Sequence, residues 1–217
     1  MTAERRRQAE RSSETRALLV EATVALLRSD GFAGTSTALI ARRAGVTTGA
    51  LHHHFAGKDD LMIAVLDDAA ARLRALLDQG EAALGETRDP RRLVDHLWRA
   101  YGAPSYWAVW EIIIGTRSDE AFHARVVAHR RDTIGSVLHP WIGRFVPDGP
   151  ARAEGFALFE FMLIAIRGLG LERFLHGEDD YFERHLGLLA DLVGPRLSAL
   201  AGTGGDAAAP GLTRSDT

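Results

Sequence analysis

From residue 15 onward, Leu18, Leu19, Ala22, Leu26 and Leu27 recur at three- and four-residue steps, the spacing of one buried helix face. This predicts a first helix of about 17 residues, ending at Asp30-Gly31, where glycine can take the left-handed cap conformation. The hydroxyl-rich connector Phe32-Ala33-Gly34-Thr35-Ser36-Thr37 can cap a second, short helix that carries Leu39, Ile40, Ala41 and Ala44 and stops at Gly45. After Val46-Thr47-Thr48, a third short helix holds Leu51 and Phe55 four residues apart. Two short helices joined across a glycine form the helix-turn-helix pattern. No segment sustains the apolar/polar alternation of a half-buried strand, so the predicted class is all-α.

A longer helix is predicted from Lys58-Asp59-Asp60, whose carboxylates suit a helix N-terminus, through Leu61, Val65, Leu66, Leu73, Leu76 and Leu77 to Gly80 or Gly85. At about 1.5 Å per residue it spans roughly 30–40 Å, enough to link a small front unit to a second body. In that body, helices are expected near 90–102, 105–117, 119–145, 150–175 and 180–200. Beyond Ala201 the composition is Gly, Ala, Ser, Thr, Asp and Pro, which buries too little apolar area to order a chain. The expected organisation is an N-terminal arm (1–14), a helix-turn-helix unit (15–60), a helical body (61–201) and a disordered tail (202–217).

Composition narrows the class of function. Of the 217 residues none is cysteine, which removes disulfides, thiolate metal sites and cysteine nucleophiles and points to the reducing cytosol. No apolar run approaches the roughly 20 residues of a membrane span, and Met1 to Glu14 is charged where a signal peptide would be apolar. The expected location is cytoplasmic. Residues 1–60 hold nine Arg/Lys against seven Asp/Glu, and the remainder 17 against 22, so the front is basic and the back acidic. All basic side chains but Lys58 are arginine.

A helix that reads a major groove needs an apolar face to anchor it and a polar N-terminal face that fits the groove. Residues 47–58 supply both: Leu51 and Phe55 form the inward stripe, while Thr47, Thr48, Gly49, His52 and His53 lie on other faces. The run His52-His53-His54 does not read as a metal site, because successive helical residues diverge by about 100° and do not converge on one ion. Arg5-Arg6-Arg7 forms either a basic arm on DNA or a solvated charge run.

The block from Ala22 to Leu61 resembles the tetracycline-repressor (TetR) family of bacterial transcription regulators. The resemblance is carried by Gly31-Phe32, Gly34-Thr35-Ser36-Thr37, Ile40-Ala41, Ala44-Gly45-Val46, Thr48-Gly49-Ala50-Leu51, Phe55, Lys58 and Leu61. It implies that Thr37 contacts phosphate, that Thr47, Thr48, Gly49, His52 and His53 face the groove, and that Lys58 meets backbone phosphate. At His52 many relatives carry tyrosine. It also implies a helical ligand-binding domain, and a homodimer in which about 150–175 and 180–200 pack as a four-helix bundle. That fits the sequence between Phe156 and Ile166, where every residue except Glu160 is apolar and one protomer cannot cover all sides.

In the 105–117 segment, Tyr106, Trp107, Trp110, Ile113 and Ile114 cluster around Glu111, a composition shared by small-molecule pockets and aromatic cores. The pocket candidates are Trp107, Trp110, Glu111, His123 and Arg167. The resulting reading is a dimeric, ligand-responsive repressor of a palindromic operator, with no cofactor and no metal. Its rivals are a constitutive DNA-binding protein and a helical small-molecule enzyme, the latter without nucleophile-base spacing, phosphate loop or metal-ligand pair in the sequence.

Overall fold

The computed structural model describes residues 3–84, 89–146 and 148–202. Every regular element among them is helical: α1 (Ala3–Gly34), α2 (Thr37–Arg43), α3 (Thr48–His54), α4 (Lys58–Leu84), α5 (Pro90–Tyr101), α6 (Trp107–Gly115), α7 (Glu120–Thr133), α8 (His139–Ile142), α9 (Arg152–Glu172) and α10 (Asp179–Gly202). The predicted all-α class is the observed one. Of the expected tail 202–217, all but Gly202 lies outside the described residues.

Helix α1 begins twelve residues earlier than the apolar periodicity predicts, so residues 3–14 form helix rather than an irregular arm. Its first turns are exposed all round and have no core-facing residue to betray them. They are held by good helix formers (Ala, Arg, Gln, Glu), by an exposed Arg6–Glu10 pair at 3.3 Å and by the Thr15 hydroxyl on the Arg11 carbonyl at 2.9 Å. Near the other end Gly31 takes φ +71° with ψ 178°, a positive-φ kink rather than the left-handed cap that ends a helix, and a helical turn resumes to Gly34 before α2.

Two segments predicted as single helices are broken. The 105–117 segment opens as a 3₁₀ turn over Pro104–Tyr106 before α6. In 119–145, α7 widens into a π-turn over Ile134–Leu138, where the His139 N–H reaches the Ile134 carbonyl. Pro140 follows at once; its missing N–H and bulky ring disfavour a regular α-turn on the residues before it, and the wider turn accommodates both. Pro195, by contrast, lies inside α10 without ending it.

Two apolar cores result, and α4 runs from one to the other. The front core joins Leu19, Leu27, Ile40, Leu51 and Leu61 of α1–α4 to Ala108, Val109 and Ile112 of α6 and Phe122 and Val126 of α7. The rear core joins Leu73 and Leu77 of α4 to Leu97, Trp141, Phe159, Ile166, Phe182 and Val193. The helix-turn-helix unit is therefore built onto α6 and α7 rather than hung from α4 alone. At the junction Gly115 is required by space: a Cβ there would lie 2.3 Å from the Phe32 ring.

Candidate functional site

The helix-turn-helix is anchored from below and capped from its own connector. Ser36 accepts the Leu39 N–H at 3.4 Å to start α2, and Thr47 accepts the Ala50 N–H at 3.1 Å to start α3. Leu51 is wholly buried and Phe55 almost so, with the Arg16 guanidinium 4.7 Å above the Phe55 ring. That inward stripe leaves Thr47, Thr48, Gly49, His52 and His53 exposed together on the outer side of the unit. Thr37 is half-buried at the first position of α2. His54 is half-buried, and its ring meets that of His53 edge to face at 5.4 Å.

The extra turns of α1 change the surroundings of this face. Arg5, Gln8, Ala9, Arg11, Ser12 and Thr15 line a shallow depression with His53 and His54, and no carboxylate is among its lining residues. A basic, acid-free trough beside the exposed end of a short helix suits a phosphate backbone. Arg5 thus lies beside the recognition helix, on a helical support.

Residues 19–65 match the family model described as bacterial regulatory proteins, tetR family. The chain carries the DNA-binding domain of the tetR family. It is 26% identical over 195 residues to the HTH-type transcriptional regulator CymR of Pseudomonas putida, covering 85% of this chain and 91% of that protein. It is 29% identical over 193 residues to the HTH-type transcriptional regulator BetI of Rhizobium meliloti, covering 85% and 90%. Its fold resembles a transcriptional regulator from Rhodococcus sp. (TM-score 0.61, 21% identity, 82% of this chain and 95% of that one). It also resembles a TetR-family regulator from Streptomyces coelicolor (TM-score 0.59, 24% identity, 87% and 97%). The protein is a DNA-binding transcriptional regulator, in a family of regulators rather than enzymes.

Lys58, expected at phosphate, is committed inward in the regulator's structure. Its Nζ donates to the Phe32 carbonyl at 2.6 Å and stands 4.0 Å above the Phe32 ring. Desolvation on burial lowers its pKa, against an opposing effect of Asp59. Phe32 also donates its own N–H to Glu111 Oε2 at 2.9 Å. The two backbone groups of this one residue, just past Gly31, thereby tie α1 to the start of α4 and to α6.

Of the five pocket candidates, Trp107 and Trp110 line a crevice of about 500 Å³. Glu111 does not, because the 100° step from Trp110 carries it to the Phe32 peptide. His123 is engaged locally, its Nδ1 3.0 Å from the Thr116 hydroxyl, and Arg167 Nε donates to the Leu163 carbonyl one turn back. What the aromatic cluster did not announce is the rest of the lining: Arg28 and Ser29 from α1, Arg43 from α2, and, just past α9, Arg173 and Phe174, whose ring packs on Trp107. A second cavity of about 310 Å³ adjoins it between α1 and α4 and shares Ala25, Arg28, Tyr101, Ala103 and Tyr106 with it; its lining mixes Glu21 and Asp68 with Arg72 and Arg99.

On the far side of the body, Phe161 and Ile164 of α9 and Leu188 and Leu192 of α10 are more than half exposed. They sit on the strips of the two helices that the rear core does not use. No helix among the described residues is long and apolar enough to cross a membrane.

Proposed function

We propose that the regulator is a homodimeric repressor, released from a palindromic operator when a small molecule fills the space between its front unit and its body. Thr47, Thr48, Gly49, His52 and His53 enter the major groove, with Thr37 on phosphate and Arg5 and Arg11 along the flanking backbone. Lys58 holds the Phe32 peptide and is left out of the contact set. The observation that carries this reading is the exposed, polar outer side of α3, held on the wholly buried Leu51, with its last residues, His53 and His54, lining the acid-free trough of α1. The uncovered apolar strips of α9 and α10 supply a two-fold interface of the kind that sets half-site spacing. A ligand that binds one arrangement of front and body better than the other shifts the population between them.

The test is fluorescence anisotropy against the DNA upstream of the regulator's own gene, with scrambled competitor and a salt series. Saturable preference over competitor, at two protomers or a multiple per site, is expected. Thr48→Ala and His53→Ala should each weaken specific binding by roughly five- to a hundredfold. Unchanged affinity in both variants would remove this face from the contact set. Equal, salt-sensitive binding to both DNAs would leave the sequence preference to be sought on other DNA.

A further inference from the structure

The crevice that holds Trp107 and Trp110 has an unusual polar inventory. Three arginines, Arg28, Arg43 and Arg173, line it, and no Asp or Glu does. Arg173 is occupied, its guanidinium about 5 Å above the rings of Trp98 and Phe182. Arg28 and Arg43 make no ion pair among the described residues. Trp110 Nε1 is buried without an acceptor among those residues.

Of the two engaged hydroxyls in the lining, Tyr106 accepts from Arg130 at 3.4 Å, and Ser29 donates to the Asp30 carboxylate at 2.6 Å and to the Ala25 carbonyl at 3.1 Å. Burial, and then the neighbouring Tyr106, push the Tyr101 phenol upward, so it adds no negative charge near neutral pH. The walls are aromatic: Tyr106, Trp107, Trp110 and Phe174. A lining with free donors, flat apolar walls and net positive charge selects against cations and sugars, and for a flat molecule that brings its own charged acceptors.

We propose that this crevice binds a planar aromatic carboxylate, whose carboxylate is met by Arg28 and Arg43 and whose ring lies among Tyr106, Trp107, Trp110 and Phe174. This rests on the reading of the protein as ligand-responsive and gives that response its chemistry. Arg28 and Arg43 belong to the front unit, through α1 and α2, whereas the aromatic residues come from the 3₁₀ turn and α6 and from the chain just past α9. A carboxylate held between them biases how the front unit sits on the body, the coordinate on which two-groove binding depends. Guanidinium is the suited partner, since it meets a carboxylate with two parallel N–H donors.

The experiment uses the full chain and three probes of matched shape: 2-naphthoate, the neutral 2-naphthamide and the cationic 2-naphthylmethylammonium. Binding is read by calorimetry without DNA, and operator release separately by anisotropy. Naphthoate is expected to bind at least about tenfold more tightly than naphthamide, with Arg28→Gln and Arg43→Gln each removing most of that margin while leaving naphthamide unchanged. Both arginines are exposed and make no ion pair among the described residues, so these variants keep the fold. Equal affinity for acid and amide, a preference for the cation, or a margin untouched in both arginine variants overturns the proposal. If naphthoate binds with the stated preference and operator affinity does not move, the carboxylate site stands and the release reading fails. If a neutral or cationic probe releases DNA instead, the release reading stands and the carboxylate proposal fails.

Discussion

Glu111→Ala isolates the tie between the DNA-binding unit and the body. In the native protein the half-buried Phe32 N–H has a charged acceptor at 2.9 Å from a residue 79 positions away, while the carbonyl of the same residue is held by Lys58 at 2.6 Å. A hydrogen bond to a charged group contributes about 1.5–3 kcal/mol, and partial solvent access on both partners brings the expected loss down to about 1–2 kcal/mol. For a chain of this length that is a fall in melting temperature of roughly 2–8 °C. Glu111→Gln keeps an acceptor and gives up only the charge, so roughly half the loss is expected. Urea unfolding followed by far-UV circular dichroism is the assay, with the slope m checked to be common to all three proteins. The reasoning fails if the alanine variant unfolds with the wild type, or if glutamine is as damaging as alanine. In the second case the carboxylate would act through something other than the Phe32 N–H.

Three further outcomes are expected. His96 is buried, and desolvation lowers its pKa below the ordinary 6.5, with a backbone hydrogen bond at Leu76 opposing. The unfolded chain therefore takes up a proton near pH 6.5 that the folded chain refuses, so stability falls as pH drops below that value until the folded group also titrates; urea midpoints from pH 7.5 to 5 should lose that component in His96→Phe, and an identical slope would exclude His96 as its source. Gly115→Ala places a methyl 2.3 Å from the Phe32 ring and should destabilise by about 1–3 kcal/mol, read as a lower urea midpoint; an unchanged midpoint would mean that the ring yields freely. Leu192→Asp on the uncovered strip of α10, where the leucine is 63% exposed, should leave the monomer fold intact and give a monomer by sedimentation velocity, whereas a dimer that survives would place the interface elsewhere.

The helices and the reading face were legible along the chain wherever a residue's role depends on its near neighbours. Leu51 and Phe55 lie four apart and must share a face, so Thr48, Gly49, His52 and His53 must share the others. The break at Gly31, the start of α2 at Thr37 and the entry of α4 at Lys58 were likewise visible, because such signals act within one turn, although at Gly31 the chain kinks and resumes a helical turn to Gly34 rather than ending in a left-handed cap. Where the pattern carried no apolar residue, as in the first turns of α1, the same reasoning had nothing to read and began the helix at Thr15. Lys58 shows the limit from the other side: its position was clear, but its partner was not, since the Phe32 carbonyl approaches only after Gly31 has turned the chain.

Tertiary packing alone decided what those elements do to one another. Glu111 and Trp110 are adjacent in sequence, yet one secures the Phe32 N–H and the other lines the crevice. The arginines opposite come from positions 28, 43 and 173 on three separate segments, and no local period brings such residues together. Helical spacing fixes which side of a helix a residue occupies, whereas the neighbour on that side is set by how separate helices pack.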